Sequence, residues 1–173
     1  MSALIKIDDD IITSSGTHTV TLTGINSTYD VYVVKFNNMQ PATDNKNIGI
    51  RVTKGGSIQT DSKYDYVHEN LKNGTFGHTP VKGADNFTIF DSSGNGAGET
   101  NNGILQLYHF ADANEYSWIS YESARINFNS DMGGRVGGGC HEVESASDGI
   151  SFFTESNVDF ANGAEFALYG LKN

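Results

Sequence analysis

Strict alternation of apolar and polar residues is the feature that most limits what this chain can fold into. In His18-Thr19-Val20-Thr21-Leu22-Thr23 the apolar Val20 and Leu22 are separated by threonines. That period of two puts them on one face of an extended strand and on no single face of a helix. Val31 to Phe36, Ile48 to Val52 and Ile104 to Phe110 are also strand-like, being rich in β-branched and aromatic residues and bounded by turn formers. Less regular candidates are Tyr64 to Leu71, Asn86 to Phe90, Tyr116 to Tyr121, Arg125 to Phe128, Gly149 to Thr154 and Glu165 to Gly170. No stretch carries a helical apolar stripe over three turns.

Between these runs lie Asn37-Asn38, Pro41 to Asn45, Lys54 to Ser57, Asp91 to Asn102 and Asp131 to Gly139, all dense in residues that tolerate turn geometry. The two longest Gly-rich segments, Ser92 to Gly103 and Met132 to Gly139, read as surface loops. The expected fold is all-β, with roughly nine to eleven short strands in two packed antiparallel sheets, a jelly-roll-like β-sandwich. Residues 1–173 form one domain in this reading, and residues 1–12 form a short N-terminal arm or strand able to add to a neighbouring sheet edge. The apolar phase of the alternating runs gives the expected core as Val20, Leu22, Val31, Val33, Ile50, Val52, Leu105, Leu107, Phe166 and Leu168.

Charge narrows the partners. With 21 acidic against 11 basic residues the formal charge is -10, so a phosphate backbone is repelled and nucleic acid is not an expected partner. Cys140 is the only cysteine, which removes an internal disulfide framework. The apolar start Leu4-Ile5-Lys6-Ile7 is too short for a signal peptide and runs at once into Asp8, Asp9 and Asp10. No run approaches the ~20 apolar residues of a membrane span, so no membrane insertion is expected and synthesis is placed in the cytoplasm.

Sites of chemistry are sparse. The Gly-rich segments lack the Lys-Ser/Thr ending of a phosphate loop. Asp91-Ser92-Ser93-Gly94-Asn95-Gly96 partly matches a calcium loop, but the twelfth position is Asn102 instead of a bidentate Glu, so an ordinary polar turn is expected. Asp8, Asp9 and Asp10 read as a solvated acidic turn or arm. His18, His68, His78, His109 and His141 lack the short spacings that place two imidazoles on one ion, and nearly all are expected in surface or loop positions. Cys140 beside His141 would point the opposite way along a strand, and no Gly-x-Ser-x-Gly elbow is present. The carboxylate pairs Glu142 with Glu144 and Asp61 with Asp65 read as solvated faces. Tyr29, Tyr32, Tyr64, Tyr66, Tyr108, Tyr116, Trp118 and Tyr121 are expected to divide between core, about two thirds, and an interface or a shallow sugar-stacking surface. No residue is assigned as catalytic, cofactor-binding or metal-binding, no cofactor is expected, and the chain is read as non-enzymatic.

Gly24 to Tyr32 (Gly-Ile-Asn-Ser-Thr-Tyr-Asp-Val-Tyr), followed by Asn37-Asn38-Met39-Gln40-Pro41-Ala42-Thr43-Asp44-Asn45, resembles a group of small virion proteins and fibre domains of tailed bacteriophages, especially those of marine bacteria and cyanobacteria. Asp148 to Phe153, Asn157, Asn162-Gly163 and Phe166 to Leu171 are similar to the terminal strand pair of that group, which closes on a hydrophobic-Tyr-Gly ending. The resemblance runs from about residue 17 to 171. It implies a β-sandwich subunit that forms a homotrimer on the virion surface, with the major capsid protein or another virion protein as partner, and it implies no chemistry. The leading expectation is a capsid decoration protein outside the phage head. The alternative is a fibre or receptor-binding module recognising a host surface glycan.

Overall fold

The computed structural model describes residues 3–72 and 75–172. Among these, thirteen strands form two sheets, every neighbouring pair is antiparallel, and the one helical element is a 3₁₀ turn at Glu155–Asn157. The eight-stranded sheet runs β1 (Ala3–Ile11), β13 (Glu165–Lys172), β3 (Val31–Met39), β9 (Asn101–Tyr108), β10 (Ser117–Ile126), β11 (Met132–His141), β6 (Tyr64–Lys72), β7 (Thr75–Ala84). The smaller sheet runs β2 (Thr19–Thr23), β12 (Gly149–Thr154), β4 (Lys46–Lys54), with β5 (Ser57–Ile58) and β8 (Phe87–Ser93) both pairing β4. Strands distant in sequence lie side by side because the chain passes repeatedly between the two sheets, which makes this a jelly-roll-like antiparallel β-sandwich.

Aromatic rings from facing strands fill the space between the sheets. Phe36 on β3 meets Phe90 on β8 and Phe152 on β12, each with ring centroids 5.9 Å apart. Phe152 in turn lies 5.0 Å from Phe166 on β13, and Tyr64 on β6 stands edge-on to Phe87 on β8 at 4.9 Å. Edge-to-face and tilted contacts of this kind add specificity to the burial of large rings.

Eight of the ten expected core residues are buried: Val20, Leu22, Ile50, Val52, Leu105, Leu107, Phe166 and Leu168. Val31 and Val33 are not among them. Tyr32, Val34 and Phe36 point inward instead, and the two valines take the outer phase of β3. Lys35 shares that outer phase, and burying it unpaired would cost far more than leaving two valines half-exposed.

Met132 to Gly139, expected as a loop, is most of β11, an interior strand between β10 and β6. Its glycines belong there because the neighbouring backbones come too close for side chains. A Cβ at Gly137 would sit 2.4 Å from the Val67 carbonyl oxygen and 2.5 Å from the His68 Cβ, and one at Gly134 would sit 2.3 Å from the Ser123 carbonyl oxygen. Gly137→Val should therefore cost about 1–3 kcal/mol in chemical denaturation, because the contact is with backbone that cannot rotate away. Wild-type stability in that variant would show the strands able to part freely.

Other boundaries shift too. Most of Tyr116 to Tyr121 and the start of Arg125 to Phe128 are joined in one continuous strand, β10, which ends at Ile126, and β7 at Thr75–Ala84 adds an edge strand to those expected. Asp8, Asp9 and Asp10 lie in β1, which is the outermost strand of the large sheet and pairs with β13. Asp8 accepts hydrogen bonds from the Thr23 backbone N–H at 2.7 Å and its hydroxyl at 3.2 Å, tying this edge to β2 of the opposite sheet.

Candidate functional site

Register across the large sheet decides which side chains meet outside. Trp118 is paired with Cys140, Ser120 with Gly138, Glu122 with Val136, and these three β11 residues pair in turn with Asp65, Val67 and Glu69 of β6. One strand further, Leu71 opposes Phe76 and Glu69 opposes His78 on β7. Alternate residues of a strand share a face, so the outer face of β10, β11, β6 and β7 collects Trp118, Val67, Val136, Leu71, Phe76 and Met132. All six are exposed, Phe76 most of all at 83 %. Isolated surface apolar residues are ordinary, whereas contiguous ones on one face mark an interaction surface.

A shallow groove of about 500 Å³ crosses this face, lined by Trp118, Val67, Val81, Asp65 and Glu142. Its floor is Gly138, whose missing side chain leaves a gap between Ser120 and Val67 in the outward row. Next to it on β9 and β10, the Tyr108 hydroxyl donates to Gln106 Oε1 and lies 3.3 Å from Ser120 Oγ. These polar groups are joined to one another beside the apolar area.

The inner side of the same strands is polar at one end. Arg125 and Arg135 project inward from β10 and β11 with side chains 5 % and 3 % exposed, and both grip Asp91 of β8, at 2.6 Å through Oδ1 and 2.7 Å through Oδ2. Burial would raise the Asp91 carboxyl, but Arg135 and Arg125 outweigh it and hold the group below the usual carboxylate range. Both oxygens of Asp91, the first residue of the partial calcium-loop match, are thus engaged by guanidinium groups. Arg135 also donates to Asn70 Oδ1 at 2.8 Å and to the Thr88 carbonyl at 3.2 Å.

His68, beside this cluster, is buried with its Nδ1 2.8 Å from the Tyr121 hydroxyl, while its Nε2 has no partner. Burial, then the charge of Arg135, pulls its pKa down to about 4, so the imidazole is neutral at neutral pH. A folded-state value below the unfolded ~6.5 means that the unfolded chain binds the proton first as pH drops. This contribution to stability is complete above pH ~6.5 and is lost as pH falls toward 4. A melting temperature that declines over that window, with His68→Gln flattening the decline, is the expected result, and an equal decline in both proteins would assign it elsewhere.

His141 is also buried, with Nε2 2.8 Å from Asp61, so two of the five histidines depart from the surface placement expected of them, while His18, His78 and His109 are exposed. The reason is pairing: each buried ring has a polar partner, the buried Tyr121 for His68 and the exposed Asp61 for His141. Cys140 faces outward from β11 and His141 inward, so the adjacent residues do not meet. Burial, then Glu142 and Asp65, pushes the Cys140 thiol up to about 11, leaving it protonated and a poor nucleophile. Of the eight aromatic residues singled out, only Tyr32, Tyr64 and Tyr121 are buried. Tyr29 and Tyr66 pack against that core partly buried, Tyr66 between His68 and Phe87 on the inner side of β6, so five of the eight reach it, close to the two thirds expected, while Tyr108 and Trp118 lie on the outer sheet face.

Between the segments Ser27 to Asp30 and His109 to Ala113 lies a second depression of about 380 Å³, bordered by Asp30 and Asp112. No group of three or more His, Cys, Asp or Glu side chains able to hold a metal ion occurs among the described residues.

No family model matches the chain, and no curated protein matches it. Among solved structures it is similar to that of Caenorhabditis elegans galectin LEC-6, at 8 % identity over 95 % of this chain and 96 % of that one, with a TM-score of 0.35. A likeness at that level carries no argument about function.

Proposed function

We propose that this chain is a non-enzymatic structural protein of a tailed-phage virion, a decoration protein that attaches to the outside of the head. The observation that carries the assembly part of this reading is the contiguous outer face of Trp118, Val67, Val136, Leu71, Phe76 and Met132, which a monomer alone leaves in water. The virion setting is supported by the resemblance at Gly24 to Asn45 and Asp148 to Leu171. A decoration protein works by repeated modest contacts over a lattice, and a rigid sandwich with one flat sticky face suits that task. Labelling of the protein on purified particles tests it: many copies over the shell are expected, copies confined to the tail favour the fibre reading, and absence from particles removes both.

The half of the sheet nearest β1 carries charges of both signs, Lys6 and Lys35 with Asp9 and Glu165, around a second small groove that Tyr169 also lines. Mixed charge lets neighbouring copies meet without like-charge repulsion, and we read this half as the contact between copies in a homotrimer. Light scattering at micromolar concentration should give three times the 18.7 kDa of one chain. A monomer mass that persists on concentration would remove the preassembled trimer.

A further inference from the structure

The other half of the face, on β10, β11, β6 and β7, carries an excess of negative charge. Its outward rows contain Glu122, Glu69 and Asp65, with Glu142 at the groove, and among the described residues the one basic side chain in outward phase on these strands is Lys82 on edge strand β7, which follows His78 and Pro80 in that phase. No salt bridge among the described residues neutralises these four carboxylates. A second copy of the same surface would bring carboxylate against carboxylate, and like charges across an interface are strongly disfavoured. Apolar side chains surrounded by an excess of negative charge, four carboxylates to one lysine, call for a partner that is apolar and basic together.

We propose that the groove over Gly138 receives a lysine or arginine side chain of a partner protein, with apolar neighbours of that residue lying on Val67, Val136 and Leu71. The geometry assigns the parts. Gly138 leaves room for an aliphatic stem, Trp118 forms one wall against which a cation is attracted by the ring face, and Asp65 and Glu142 line the same groove. An arginine or lysine buries its methylene stem while its charged head stays near solvent and carboxylates. The inference rests on reading this face as an assembly surface and adds the chemistry of what it grips.

Trp118 is the chain's single tryptophan, so its fluorescence reports this groove directly. A synthetic peptide alternating arginine and leucine should shift that emission saturably, with affinity falling as salt is raised. Its glutamate-leucine counterpart should leave the emission unchanged. The triple variant E69Q/E122Q/E142Q alters side chains that make no ion pair among the described residues and should melt like wild type, yet bind the arginine peptide roughly tenfold more weakly. Equal binding by the triple variant, or no saturable shift with the arginine peptide, overturns the inference. So does a shift produced by neutral dextran oligosaccharides instead, which would make the face a sugar platform, or one produced by raising the protein's own concentration, which would assign it to a second copy. Particle labelling is independent: a protein absent from particles that still binds the arginine peptide defeats the decoration reading and leaves the groove assigned, and the reverse pair of results does the opposite.

Discussion

Leu107→Ala should lower the unfolding free energy by about 2–5 kcal/mol, toward the upper end of that range, with the denaturant slope unchanged. Leu107 is fully buried on β9, an interior strand of the large sheet, and its register partners Tyr32 and Ile119 are buried as well. The removed methyl groups leave a void between two sheets whose spacing is fixed by rings such as Phe36, Phe90 and Phe152, so the surroundings cannot collapse into it. Val33→Ala, one strand away on the outer phase, supplies the comparison and should cost no more than about 1 kcal/mol. A loss below about 0.5 kcal/mol for Leu107→Ala would put that face in solvent and reverse the inward assignment of β9.

The contrast between Leu107 and Val33 also marks how far the sequence is readable. Where polar residues strictly interrupt apolar ones, as in Val20-Thr21-Leu22 and Leu105-Gln106-Leu107, the alternation fixes both strand and inward face. In Val31-Tyr32-Val33-Val34-Lys35-Phe36 nearly every residue is apolar, and the single discriminating signal is Lys35, which shares its phase with Val31 and Val33 and belongs outside. Composition hides β11 completely: a run of glycines carries no periodic signal, and its need for glycine arises from strands that approach it from elsewhere in the chain. Edge strand β7 contains Pro80 with Gly77 and Gly83, residues that read as turn and are tolerated where one row of backbone groups faces solvent.

The candidate face was less legible still. Trp118, Val136 and Val67 come from three separate strands, and only the register of β10, β11 and β6 makes them neighbours. Their residue types are unremarkable when read singly, since an exposed valine needs no explanation. The acidic composition was visible from the start, but its concentration around one apolar groove is a property of the folded sheet.

Asp91→Ala is expected to cost about 3 kcal/mol or somewhat more, within the range of a core truncation, although Asp91 itself is half-exposed. The effect comes from what it leaves behind. Arg125 and Arg135 are almost fully enclosed, and they share this single carboxylate across the gap between β8 in the small sheet and β10 and β11 in the large one. Burial lowers the pKa of Arg135 by more than Asp91 raises it, so its charge is held at a cost even in the intact protein. Without Asp91, two buried positive charges face each other with no counter-ion, and solvent reaching the exposed side of the site relieves only part of that penalty. Asp91→Asn should be nearly as damaging, because an amide keeps the shape but not the charge and turns an NH2 donor toward one of the two guanidinium groups. Removing a guanidinium as well, in Asp91→Ala with Arg135→Met, should restore part of the loss, a coupling that a double-mutant cycle in urea reads directly. The same logic sets the pH behaviour. A carboxyl depressed in the folded state stabilises fully above its unfolded value near ~3.9 and loses that contribution as pH falls through the lower folded value. Wild type and Asp91→Asn should therefore converge in stability as the pH is lowered beyond ~3.9, and a gap that stays constant through the acid range would mean that Asp91 acts through packing and not through its charge.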